Sequence, residues 1–247
     1  MKSYIFNLRV ARIVNIIYFL NMIYVAVETP TAPRTKRHQE TSERILAAAR
    51  KEVVASGFSG LSIHKIAKAT NYTPGALYRY YPSKDALVSA LAIQIIGEFA
   101  AAIASIIGAT EGGPRDKIRA ALFGYRGLAR KSPEEFGLLS SLLADSRQLI
   151  SDQLAVPAIN ALIAALIPLQ DLFRSAFPAL AADPKMCAAQ ATIAFATIHG
   201  ILQLRKQVTR STELGELDAL ITMAIDSLLS GFDVNFGGSH EINFVPR

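Results

Sequence analysis

The stretch Ser62–Lys84, SIHKIAKATNYTPGALYRYYPSK, constrains this chain more than any other. Ser62 is a good N-cap for a short helix, because its hydroxyl can accept from an early backbone N–H. Ile63, Ile66, Ala67 and Thr70 then follow at helical spacing. Asn71 stands where that helix must stop, and Asn tolerates the left-handed conformation that a sharp turn demands. Thr73 caps a second helix, with Pro74 at its first position, where a missing N–H costs nothing. Leu77 and Tyr81 lie one turn apart and face inward, leaving Thr73, Pro74, Gly75, Tyr78 and Arg79 facing outward. Pro82 ends the second helix, and Ser83 caps a third. Two short helices around a tight turn, the second bearing small polar, aromatic and basic groups, predict a helix-turn-helix DNA reader.

The string resembles the DNA-binding signature of the tetracycline-repressor (TetR) family over roughly residues 40–95. Ile66, Ala67, Thr73, Gly75, Leu77, Tyr78, Tyr80, Tyr81, Ser83, Lys84 and Leu87 carry the resemblance. Asn71 replaces the usual turn Gly and Tyr81 the usual Phe; both exchanges are mild, the first because Asn also accepts positive φ. The resemblance implies a homodimer on a near-palindromic double-stranded DNA operator, with ligand-controlled repression. It also implies that the fourth helix, from Ser83 to about Gly108, acts as a lever between the head and the rest.

Charge supports the same reading. Residues 31–84 hold ten Lys/Arg against three Glu, a net +7, whereas the last 163 residues hold thirteen basic and sixteen acidic groups, a net −3. A basic excess gathered around a groove-reading motif is what a phosphate-binding surface requires.

Roles within the head can be divided. Helix 1 is expected from about Gln39 to Ser56, with Ile45, Ala49 and Val53 as its inward stripe, and Gly57 and Phe58 closing its C-terminus. Thr41 and Arg44 lie near its start, where N–H groups and the helix dipole favour a phosphate. Ser62, His64 and Lys65 open the helix that crosses the DNA backbone; His64 stands where many TetR relatives carry Arg. Thr73, Pro74 and Gly75 are expected to enter the major groove, offering a hydroxyl and small apolar surfaces to base edges and thymine methyls. Arg79 is a candidate for a base or a phosphate, Tyr78 and Tyr80 for phosphates through their hydroxyls, and Lys84 for a phosphate at the next helix start. Leu61, Ile63, Ile66 and Leu77 read as core.

The flanks divide the chain into an apolar extension and linker over 1–36, a head over 37–84, a helical domain over 85–235 and a tail over 236–247. Within the extension, Lys2, Arg9 and Arg12 precede an apolar run, Ile13–Val27, of 15 residues interrupted by Asn15 and Asn21. A membrane-spanning helix takes about 20 residues. Three readings stand: an upstream start or functionless extension, a membrane anchor, or a cleaved export signal. The anchor reading makes the chain an inner-membrane-tethered protein whose basic head binds anionic lipid, with membrane contact through residues 1–27. Residues 28–38, with two prolines, read as a linker whose Arg34, Lys36 and Arg37 form either a basic arm on DNA or a solvated tail.

The remainder predicts an all-α fold. Helices are expected at 114–131, 134–149, 155–178, 185–208 and 213–231, with Pro168 kinking the third of these. The Ala-, Leu- and Ile-rich helices either pack tightly, with the bulky residues below as core, or surround a cavity for a small, largely apolar effector. Candidate lining residues are Phe99, Phe123, Tyr125, Arg126, Leu139, Leu143, Ile163, Phe195 and His199. TIAFATIHGILQL at 192–204 resembles the C-terminal domain of TetR-type regulators marked by a Trp-x-x-x-His-Gly (WHG) pattern, with Phe195 in place of the Trp and His199-Gly200 retained. By that resemblance the helices at 185–208 and 213–231 pair with their two-fold mates. Ala188, Ala191, Ile198, Ile201, Leu217, Leu220, Ile221, Ala224 and Leu228 offer a suitable apolar face, or else fill the monomer core; Gly200 would allow close helix approach.

Enzymatic chemistry finds no support. The four histidines, at 38, 64, 199 and 240, are scattered, and no phosphate-cradling loop or nucleophile elbow occurs. The single cysteine, Cys187, reads as a small core residue and excludes an internal disulfide and any cysteine-based zinc site. No cofactor or metal is expected. The reading is of a non-enzymatic cytoplasmic regulator associated with the nucleoid.

Overall fold

The computed structural model describes residues 32–58, 60–144, 152–178, 184–208, 210 and 216–234, and every regular element among them is a helix. The apolar extension at 1–27 and the tail at 236–247 lie outside the described residues. The chain forms two compact units: residues up to Ala102 with Leu128–Ala165, and Ile103–Gly127 with the chain from Leu166 onwards.

The first unit holds the head. Helix α1, Ala32–Ser56, begins a full two turns before the expected Gln39. The prolines misled the reading: Pro33 falls in the first turn, where an absent N–H breaks no intrahelical bond, and nothing from Thr35 to His38 opposes helix. Ile45, Ala49 and Val53 are essentially inaccessible, and α1 packs on α2, Ile63–Thr70. At the far end Gly57 adopts φ +70° and donates to the Val53 carbonyl at 2.8 Å, with Phe58 buried beside it.

The turn after α2 follows from its residues. Asn71 takes φ 60°, ψ 38°, so the Tyr72 N–H reaches the Ala67 carbonyl at 2.9 Å and the Asn71 N–H the Lys68 carbonyl at 3.3 Å. These are the paired bonds of a left-handed helix stop. Helix α3 is shorter than expected, Pro74–Leu77 rather than continuing to Tyr81. Beyond Leu77 the chain tightens: Arg79 donates to Ala76 and Tyr80 to Leu77, three residues back. Pro82 disfavours helical backbone at Tyr81. Leu61, Ile66, Leu77 and Tyr81 are buried as expected; Ile63 is half-buried.

Ser83 caps α4, Lys84–Ala109, by accepting from the Ala86 N–H at 3.0 Å. Leu87, Val88, Leu91, Ala92, Ile95, Ile96 and Phe99 form its buried stripe in the first unit. The first unit also contains α6, Pro133–Ala144, packed on α1 with Phe136, Leu138, Leu139 and Leu142 buried. Helix α4 and the segment Ala155–Ala176 are each long and apolar enough to cross a membrane by length and composition alone. In α4 a third of the apolar window is buried. The second segment belongs to α7, Asp152–Ala176, which runs through Pro168. Val156, Ile159 and Ile163 are exposed on it.

The second unit contains α5, Pro114–Lys131, as far as Gly127, together with α8, Pro184–Gln203, the short α9, Arg205–Val208, and α10, Leu217–Val234. The expected helix over 185–208 is interrupted by a turn at Leu204. A Cβ on Gly124 would lie 2.5 Å from the Ile106 side chain, so this glycine lets α5 approach α4 within the unit. Among the described residues no neighbour exploits Gly200, where an added Cβ meets nothing within 4 Å. Helices α8 and α10 pack on each other, with Ala191, Ile198, Ile221 and Ile225 fully buried. Arg119 pairs with Asp226, and Arg126 with Asp218, clasping α5 to α10.

The Asn71 turn is directly testable. Asn71→Gly should leave stability unchanged or raised, whereas Asn71→Ala should cost about 1–2 kcal/mol, the usual cost of placing an L side chain in left-handed backbone. Denaturant unfolding of both variants measures this.

Candidate nucleic-acid interface

The exposed face of the head is assembled by caps. The Ser62 hydroxyl accepts from the Lys65 N–H at 3.4 Å, and the Thr73 hydroxyl from the Ala76 N–H at 3.2 Å. Each bond supplies a partner to an N–H that a helix start otherwise leaves orphaned. The Thr70 hydroxyl returns to the Ile66 carbonyl at 2.8 Å, closing the last turn of α2 from inside.

Held this way, Thr73, Gly75, Tyr78 and Arg79 stand exposed, and Pro74 half-exposed, along one short element and the turn after it. Tyr78 keeps 46% of its surface accessible. A Cβ added to Gly75 meets nothing within 4 Å, so the surface is open at this position. His64, Lys65 and Lys68 are exposed on α2. Tyr81 anchors the opposite side. Its hydroxyl lies 2.6 Å from that of Ser42 on α1, and burial pushes the phenol above its ordinary range.

Three of the expected contact residues are committed within the head. Thr41 is buried, its hydroxyl 3.5 Å from that of Tyr72. The Arg44 guanidinium donates to the Thr70 carbonyl at 3.4 Å, capping α2 from α1. The Lys65 ammonium pairs with Glu52 at 2.7 Å across the same helices. Between these two bridges runs a groove of about 340 Å³, floored by Ala47, Ala48, Ile66 and Ala69.

Two aromatic residues join the surface that the sequence reading omitted. The His38 ring lies 4.6 Å from that of Tyr80, and Tyr72 lies 6.2 Å from Tyr80 on another side. Tyr80 is therefore a half-buried ring fixed between α1 and the turn. The missing signal was the early start of α1: with 28–38 read as a linker, His38 had no defined position.

The effector candidates fall into the two units. In the first, Phe99 and Leu139 are buried, Leu143 is half-buried and Ile163 exposed. In the second, Tyr125, Phe195 and His199 come together, with Phe123 half-buried and Arg126 held by Asp218. The Tyr125 hydroxyl lies 2.7 Å from His199 Nδ1, and the Gln203 amide lies 3.0 Å from His199 Nε2. The Phe195 ring sits 5.4 Å from both rings. Burial lowers the affinity of His199 for a proton and raises that of the Tyr125 phenolate, so both are neutral. Among the described residues no group of three His, Cys, Asp or Glu could hold a metal ion.

Comparison with known proteins follows the same lines. Residues 45–91 match the family model of bacterial regulatory proteins of the tetR family. The HTH-type transcriptional regulator UidR of Escherichia coli K12 is 41% identical over 56 residues, which is 23% of this chain and 29% of UidR. The chain thus spans less than a third of the length of the curated relative it matches. A putative tetR family transcription regulator from Shewanella sp. PV-4 shares the fold with a TM-score of 0.58 at 18% identity, over 76% of this chain and 97% of that one. FadR from Bacillus subtilis, solved in complex with stearoyl-CoA, does so with a TM-score of 0.56 at 17% identity, over 76% and 98%. The fold is all-α, a helix-turn-helix head followed by a larger helical domain.

The buried imidazole sets a pH dependence. Its folded pKa lies below the unfolded value near 6.5, so its contribution is complete above that value and is lost as pH falls toward the folded pKa. Thermal unfolding at pH 7.5 and 5.5 should show a loss at the lower pH that His199→Phe diminishes; an equal loss in the variant would reject the assignment.

Proposed function

We propose that this chain is a sequence-specific DNA-binding transcriptional regulator of the tetR type, acting as a homodimeric, ligand-released repressor on a near-palindromic operator. The observation that carries the reading is the geometry of the head. A capped, four-residue helix presents Thr73, Gly75, Tyr78 and Arg79 to solvent, on a segment whose net charge is +7. The match of residues 45–91 to the tetR family model supports it independently.

In this mechanism α3 enters the major groove and α2 crosses the backbone. Thr73 spends its hydroxyl as an acceptor in the cap, so the hydroxyl proton remains for a base or phosphate oxygen. Pro74 and Gly75 provide close apolar approach. Tyr78, Arg79 and Lys84 contact phosphates, with Tyr80, Ser62 and His64 at the margins. Arg44, Lys65 and Thr41 act mainly by holding α1 to α2 and the turn.

Dimerisation would use the last two long helices. Of the expected face, Ala191, Ile198 and Ile221 fill the protomer core, whereas Ala188, Ile201, Leu217, Leu220, Ala224 and Leu228 are half-buried. Ile193 on α8 and Met223 on α10, 47% and 65% exposed, join the candidates for a two-fold contact. An effector with a large apolar part accords with the apolar helices and with the acyl chain of the stearoyl-CoA bound by FadR of similar fold. Such a ligand acts by favouring a head spacing that fits DNA poorly; a coupling of about 1–3 kcal/mol is enough. The setting is the cytoplasm, where the DNA is, and no catalytic step is involved.

Gel-shift titration against the bound site tests the contacts. Lys84→Ala should weaken binding and reduce the salt slope by about one. Tyr78→Ala should weaken it with little change of slope, since no cation is lost. Unchanged affinity and slope in the double variant would overturn the assignment.

A further inference from the structure

We propose that Arg50 is the positioning residue that sets the attitude of the reading head. Through its guanidinium fork, movement of α6 reaches α1 and the recognition helix. The inference rests on the DNA-binding reading above. Arg50 Nη2 lies 2.7 Å from Glu98 Oε2 on α4, and Nη1 lies 2.9 Å from Glu135 Oε1 on α6. One side chain of α1 thus holds two other helices at once, all within the first unit.

The chemistry requires arginine. A planar guanidinium offers two outward N–H edges in fixed directions, so two carboxylates on different helices can be bonded together; an ammonium is a single point that holds both only weakly. The Arg50 side chain is only 21% exposed, which strengthens the attraction over that of an exposed surface pair. Both acceptors have further support. The Gln94 amide donates to Glu98 at 3.1 Å one turn away. Glu135 stands in the first turn of α6, where the helix dipole favours a carboxylate.

The two bonds are not equivalent in consequence. Glu98 belongs to the same helix that Ser83 starts, directly after the reader. Glu135 belongs to a helix distant in sequence. A helix shift of about 1–2 Å, the usual size of such displacements, takes Glu135 out of hydrogen-bond reach and leaves Arg50 on Glu98 alone. From α1 the change passes to α2 through the Arg44 bond to the Thr70 carbonyl, and to the turn after α3 through Ser42 and Tyr81, 2.6 Å apart. Arg50 is thereby a two-position link between α6 and the recognition helix.

The test uses the full chain and an operator selected by the wild-type protein from random duplex DNA. Glu135→Gln is the main variant, because it keeps shape and removes the charge of a residue about one-third exposed. Arg50→Lys is the second, and the two are combined in a third. Expected is a loss of operator affinity of at least about fivefold in each single variant, within the usual range of site coupling. The salt slope should stay at the wild-type value, and the combined variant should be no weaker than Arg50→Lys alone. A purely structural role would lower the unfolding midpoint and leave affinity per folded molecule unchanged. Amide hydrogen exchange over Ile45–Val53 supplies a readout without DNA: it should accelerate in Glu135→Gln. Wild-type affinity in both single variants, or unchanged exchange in α1, overturns the inference. Failure of the wild-type protein to select any sequence would instead reject the DNA-binding reading, while the exchange result still decides whether the fork holds α1.

Discussion

The reading surface depends on one backbone position. Asn71 at φ 60° lets the chain leave α2 and begin α3 three residues later, at Pro74. The two backbone bonds to Ala67 and Lys68 fix that departure, and the Thr73 cap fixes the entry into α3. Everything exposed on α3 takes its direction from this turn. The remaining parts of the head secure the same arrangement from outside: Arg44 on the Thr70 carbonyl, Ser42 on Tyr81, and the Ile45–Ala49–Val53 stripe beneath. Groups expected to touch DNA therefore divide into those that face outward and those that hold the outward ones steady.

The head was the most legible part of the sequence because its signals are local. Ser62, Thr73 and Ser83 cap helices where hydroxyl chemistry places them. What escaped was set by packing across sequence distance. Pro33 and its polar neighbours looked like a linker, yet α1 extends through them and brings His38 onto Tyr80. Lys65, expected at a phosphate, also pairs with Glu52, thirteen residues earlier, a contact that no local signal gives.

The second unit shows a different limit. Periodicity identified α8 and α10 as apolar helices, but a helix that is apolar over much of its circumference has more than one candidate inward stripe. Ala191, Ile198 and Ile221 turned out to fill the protomer, leaving Ile193 and Met223 outside. The residues chosen for a pocket were separated for the same reason: bulk within an apolar helix marks a core position as readily as a lining one. Tyr125, Phe195 and His199 do converge, and the polar atoms of that trio are satisfied by one another and by Gln203.

The central claim is that two copies of this head read DNA together. Selection of binding sites from random duplex DNA by the full-length protein tests it most directly. The account predicts enrichment of two inverted half-sites whose centres lie about one helical turn, ~34 Å, or a whole multiple of it, apart. Enrichment of a single unpaired half-site would contradict the paired geometry, and no enrichment over input DNA would contradict sequence-specific reading itself.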